Sequence, residues 1–342
     1  MRRRYFFLLS LVIVVLLMVA GLLVGTVAFS AEQVWQALVG SGTSPTVRFI
    51  ILESRLPAAV TALLAGAALG VGGLLMQTVL ENPLAEPGIL GVSAGASLGA
   101  AIALLLPGAA LGGALTASGT LLTIALALTG SLGVIAILAA CSAALRSNVM
   151  VLIAGVMVSY LVGSATALLA FYATDYGVQS YVFWGMGDFG ALTSARLAWL
   201  AVAVIAGIAP LPLWAKQLDG LMLGSDYATT LGLPVRRLRT LLLVVCGWLT
   251  AVVTAACGPI AFIGLAAPHV ARLILKRSDH ATLIPAAAVS GSTLCLLTNL
   301  LCRLPAHLFP NATATTALPA NAVTPIIGVP IVLWLILKQR NA

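Results

Sequence analysis

The run Leu56–Leu80, LPAAVTALLAGAALGVGGLLMQTVL, carries no charged side chain. A helix of about 20 such residues crosses the hydrocarbon core of a bilayer. Comparable runs recur along the chain, and ten spans are predicted, at about 6–28, 56–80, 89–106, 119–140, 149–172, 195–214, 240–256, 262–275, 282–301 and 322–337. Composition agrees: 8% of the residues are charged and 61% hydrophobic, where a soluble chain is roughly a quarter charged. The predicted fold class is an all-α polytopic membrane protein, with residues 1–342 forming a single transmembrane domain. The N-terminal run, after Arg2, Arg3 and Arg4, is longer than the ~7–15 residues of a signal-peptide core and is read as a retained first helix.

Charge sets the orientation. Thirteen of the seventeen basic residues fall on one side if both termini lie inside, which the positive-inside rule makes cytoplasmic. Arg48, Arg55, Arg196 and Arg303 fall outside, against that rule. The net charge of +8 is spread over loops without aromatic interleaving, so no nucleic acid is expected. Five cysteines without a C-x-x-C pair read as apolar packing residues. His269, His280 and His307 lie in three separate regions, so no metal site is predicted. Asn311-Ala312-Thr313 matches a glycosylation sequon, a pattern short enough to arise by chance.

The stretch ENPLAEPGILGVSAGASLGA, residues 81–100, interrupts the apolar pattern. Pro83 and Pro87 break the amide ladder, and the freed carbonyls need water or protein partners. It is expected as a tight re-entry at the inner membrane face, followed by a helix whose small residues admit a close neighbour. A faint internal repeat relates residues 63–95 to 243–273. The copies enter from opposite sides, as in inverted-repeat transporters.

These residues carry a family resemblance. The segment RLPAAVTALLAGAALGVGGLLMQTVLENPLAEPGILGVSAGASLGA resembles the signature of FecCD/BtuC-type permeases of ABC importers. So do LGSDYATTLGLPVRRLR, GPIAFIGLAAPHVARLI, DHATLIPAAAVSGS and LPANAVTPIIGVPIVLWLILK, in the family's order. The resemblance implies a type II importer permease that pairs as a homodimer in the bacterial cytoplasmic membrane. It implies two cytoplasmic ATPase subunits, which bind ATP and Mg, and an extracytoplasmic binding protein. No cofactor is implied on this chain.

The resemblance also implies site residues. A coupling segment at 219–236 would meet the ATPase through Asp219, Gly224, Ser225, Asp226, Ala228, Leu231, Gly232 and Leu233. Ser225-Asp226 stands where the family often has an acidic pair, and Thr229 where an Arg is frequent. Arg55 and Arg303 would dock the binding protein; Ala58 replaces a second Arg, and 306–316, AHLFPNATATT, is an extra segment. Ser159, Ser164, Thr166, Trp184 and Met186 would line the pathway, the last two from an outer connection at 173–195 with a short helix. Gln77 and Asn299 are buried polar candidates for that pathway or for interhelical hydrogen bonds.

Three function classes compete. An ion-coupled secondary transporter would keep a carboxylate inside a span, and none of the predicted spans holds one centrally. An intramembrane enzyme would need a buried nucleophile and base, and no such set is found. An ATP-driven importer permease needs neither. Its cargo is expected to be an iron-siderophore, with vitamin B12 and haem as alternatives.

Overall fold

Inside a bilayer each backbone amide must find its partner within the protein, which favours helices. The computed structural model describes residues 2–25, 27, 29–40, 42, 44–106, 117–144, 148–308 and 317–340. Among them are fifteen α-helices and no strand. Arg146 and residues 309–316, which hold Asn311, lie outside the described residues.

The helices are α1 (Arg2–Leu23), α2 (Ala31–Val39), α3 (Pro45–Phe49), α4 (Leu56–Val79), α5 (Val92–Leu105), α6 (Ala117–Ala144), α7 (Asn148–Phe171) and α8 (Asp175–Gly185). There follow α9 (Ser194–Ile208), α10 (Ala215–Leu221), α11 (Ser225–Thr230), α12 (Val235–Cys257), α13 (Ile263–Leu275), α14 (His280–Leu308) and α15 (Ala320–Arg340). Seven helical stretches are long and apolar enough to cross a membrane, and α5, α13 and residues 320–333 of α15 are shorter apolar helices. These ten correspond to the ten predicted runs. The first ends at Leu23 rather than near 28. The second begins at Pro45, because α3, a π turn at Ile50–Arg55 and α4 form one continuous helical stretch.

Small residues decide the packing. Gly66, Gly70 and Gly73 line one side of α4, buried against neighbouring helices. A β-carbon on Gly73 would lie 1.8 Å from the carbonyl oxygen of Gly264 on α13. One on Gly66 would lie 2.2 Å from that of Gly291 on α14. Backbones therefore touch, which small residues permit in membrane bundles.

Contacts repeat between two sets of helices in matching order. Helix α4 packs on α13 and α14, as α12 packs on α5 and α6; α5 pairs with α6 as α13 pairs with α14. This pattern relates the two halves that the sequence repeat of residues 63–95 and 243–273 predicts. At each centre a helix breaks: residues 80–91 follow α4, and 258–262 follow α12.

The first break does not stay at the membrane face as expected. A β-carbon on Gly72 would lie 3.7 Å from Pro87 Cγ, and one on Gly264 would lie 3.0 Å from Pro87 Cδ. Gly72 is two turns inside the end of α4, so the segment has climbed roughly 10 Å into the bundle. Protein replaces the expected water: the Glu86 carboxylate accepts the Phe262 backbone N–H at 2.7 Å. Phe262 precedes α13 with a left-handed φ of 68°.

Candidate functional site

At the arginine-rich end, α10 and α11 form a turn of two short helices. Gly224, at φ 99°, opens α11, and Gly232, at φ 81°, ends it; both need the left-handed region that glycine enters without strain. Leu233 N–H returns to the Ala228 carbonyl at 3.1 Å, closing the turn.

The side chains divide into two sets. Leu218, Leu221 and Ala228 are buried and anchor the turn, and Leu233 is half-buried. Met222, Leu223, Tyr227 and Leu231 are exposed, with Asp226 beside them. This apolar patch sits at a polar end of the bundle, where exposed apolar surface of this kind marks contact sites.

Two polar connections fasten the turn. Asp219 Oδ1 accepts both the backbone N–H of His280, at 2.8 Å, and its ring Nδ1, at 2.7 Å. His280 Nε2 lies 2.8 Å from Thr78 Oγ1 near the end of α4. In the second connection Ser225 donates to Glu81 Oε1 at 2.6 Å, Arg239 pairs with the same oxygen at 3.1 Å, and Arg239 also donates to Ser225. Asp219 and Ser225, expected at the ATPase, are thus engaged with their own chain. Thr78, Glu81, Arg239 and His280 are the residues that sequence reasoning missed. Thr78 and His280 are 202 positions apart, and only polarity at the ends of apolar runs hints at them.

At the opposite end Arg55 is 3% exposed. Its guanidinium donates to the carbonyls of Leu22 at 2.6 Å, Leu23 at 3.0 Å and Val27, and lies 4.5 Å from the Phe29 ring centre. The carbonyls at a helix end lack intrahelical partners, and Arg55 supplies them. It is placed inside the fold and not on the expected rim. Arg303, on α14, is half-buried with Asp188 among its electrostatic neighbours. The expected outer helix is α8, whose end is joined to α15 by hydrogen bonds from Ala320 and Asn321 to the carbonyls of Gly187 and Met186.

The expected pathway residues do not converge on one cavity. Thr166 lines a cleft of about 400 Å³ with Ser97 and Tyr181. Trp184 stacks on Tyr181 with ring centres 6.3 Å apart. Ser159 donates to its own helix at the Gly155 carbonyl, 2.8 Å away. Ser164 and Met186 are exposed. Most of the outer face of α7 is bare in the single chain, with Tyr160, Leu161, Leu168 and Phe171 exposed. Gln77 accepts from Arg272 at 2.6 Å, so it bonds between helices α4 and α13. Asn299 is buried. No cluster of three or more metal-ligating side chains occurs among the described residues.

Comparison with known proteins places this geometry. The model of the FecCD transport family matches residues 12–338. The vitamin B12 import system permease protein BtuC of Citrobacter koseri is 35% identical over 324 residues, covering 94% of this chain and 92% of that protein. Its counterpart in Salmonella paratyphi A is 36% identical, covering 94% and 93%. A solved metal-chelate type ABC transporter in an inward-facing conformation superposes with a TM-score of 0.81 at 26% identity, over 96% of this chain and 97% of that one.

Proposed function

The chain belongs to the FecCD transport family and is a permease subunit of an ABC importer, and from that premise we propose that it admits a bulky metal chelate, cobalamin first, through a homodimeric pathway. The subunit is not an enzyme; ATP is used by a separate ATPase, and the importer works with a substrate-binding partner in a membrane. The cargo reading is supported by relatives named for vitamin B12 at 35% and 36% identity. It displaces the iron-siderophore from first place, while the metal-chelate class stands.

The arginine-rich end faces the cytoplasm, by the bias of the basic residues. There the ATPase meets Leu223, Asp226, Tyr227 and Leu231, while Asp219, Ser225, Ala228 and Leu233 hold the turn that presents them, and Gly224 and Gly232 shape it. The observation that carries this reading is the exposed apolar patch on a turn anchored to three helices. The bare face of α7, which carries Ser164, pairs with a second copy, and Trp184 and Met186 face the space between copies, while Ser159 and Thr166, on the other side of α7, face their own chain at Gly91 and at the cleft with Ser97 and Tyr181. Arg303 docks the binding protein, and Arg55 holds the shape of that end. Bacterial cytoplasmic membrane is the location, with both termini inside. No cofactor resides in the chain.

Co-expression with the ATPase subunits of its own genome tests the reading. A 2:2 complex is expected for the parent, and none when residues 224–232 are replaced by a flexible linker. Proteoliposomes with binding protein are then expected to take up cobalamin. Uptake of a ferric siderophore or haem instead would move the cargo assignment, and absence of any ATPase complex would overturn the docking surface.

A further inference from the structure

The end of α4 gathers bonds from three directions. Thr78 meets His280, Gln77 meets Arg272 of α13, and Glu81 meets Ser225 and Arg239. His280 is fully buried, and both ring nitrogens are engaged, one by Asp219 on α10 and one by Thr78 on α4. Its backbone N–H also donates to Asp219. A side chain held at both ends cannot follow one partner without pulling the other.

What lies beyond Thr78 gives this link its reach. Asn82 N–H donates to the Gln77 carbonyl at 3.1 Å, and Ala85 N–H to the Asn82 carbonyl at 3.1 Å. The next residue is Glu86, bonded to Phe262 at the start of α13. Hydrogen bonds, joined where needed by adjacent residues of the chain, therefore run from the coupling turn to the crossing of the two broken helices.

We propose that His280 is a positioning residue that ties the coupling turn to the end of α4, so that displacement of the turn is delivered to the re-entrant segment 80–91. Thr78 and Asp219 are its two contacts, and Glu81 with Ser225 and Arg239 forms a parallel tie. The proposal rests on the permease reading for its consequence, and on this chain alone for its mechanics.

Two experiments separate these. The first needs no partner. Hydrogen exchange is followed on the purified chain in lipid nanodiscs, parent against Thr78→Val. Residue 78 is outside the turn, yet exchange is expected to rise in 215–230 as well as in 79–91, and Thr78→Ser is expected to restore both. A change confined to 75–85 overturns the link. The second uses the assembled importer in proteoliposomes and reads cargo taken up per ATP hydrolysed. Thr78→Val, Asp219→Asn and His280→Gln are each expected to lower that ratio about tenfold, the order of one lost buried hydrogen bond. Thr78→Val and His280→Gln are expected to leave the ATPase bound. The double variant Thr78→Val with Asp219→Asn is expected to match the singles, because contacts through one shared residue do not add. Parent-level ratios, or effects that multiply, overturn the proposal. If the first experiment gives the expected result and the parent assembles no importer, the link stands and the permease reading fails.

Discussion

Arg55 illustrates how much a single side chain decides. An unpaired guanidinium in a membrane bundle is costly, yet this one completes the carbonyls at the end of α1. Arg55→Ala is expected to lower stability by about 3 kcal/mol, the upper end of the cost of leaving buried carbonyls without donors. Arg55→Lys is expected to recover little, since an ammonium lacks the planar fork that reaches several acceptors. Thermal unfolding in detergent measures both. Asp279, in the turn before α14, lies outside the spans. Burial pushes its carboxyl up, but Thr282 and Arg277 outweigh that and hold it below its ordinary value. A depressed carboxyl stabilises the fold above its unfolded pKa, and that contribution fades as pH falls through the folded value. Asp279→Ala is therefore expected to cost about 1 kcal/mol at neutral pH, as for a lost helix cap, and to flatten the acid limb of the stability profile. A residue's place in a charge pattern could not have revealed the first of these roles. Arg55 violates the orientation rule whether it serves a partner or a helix end, and only the carbonyls decide.

At the scale of elements, contact between backbones sets the tolerance. Gly73→Ala is expected to abolish folded protein, because its β-carbon would overlap the Gly264 carbonyl, whereas Gly88→Ala meets nothing within 4 Å. Size-exclusion profiles of the two variants should differ completely. The helices themselves were legible, since length and apolarity are local properties: all ten runs occur as helices. The depth of residues 80–91 was not. Two prolines announce a break, but nothing in ENPLAEPG says whether water or α13 completes it. The coupling turn was legible in outline through its glycines, and its division into anchors and exposed residues required α4, α12 and α14 around it. The pathway set was least legible, because Ser159 and Thr166 bond within their own helix and carry no outward signal.

For the whole molecule, α7 and α1 both carry bare apolar faces, and the proposed pairing concerns that of α7. Leu168 is 65% exposed there, on the face proposed to meet a second copy. Leu168→Arg is expected to leave the chain folded and shift it from dimer to monomer in native mass spectrometry. An unchanged dimer would move the interface elsewhere.

The crossing of the two broken helices has an electrical side as well. With Pro87 near Gly264 and Glu86 against Phe262, the Glu86 carboxyl, whenever it is ionised, would hold a charge inside the membrane potential on the proposed orientation. Moving one charge through the whole potential is worth ~2.3 kcal/mol per 100 mV, and a charge part-way through feels a fraction of that. Any step that lifts the segment toward either surface moves that charge through the field. Uptake at a fixed ATP concentration is therefore expected to vary with an imposed potassium-diffusion potential, and Glu86→Gln to remove most of the variation. The same two prolines that interrupt a helix would then make an ATP-driven pathway sense voltage.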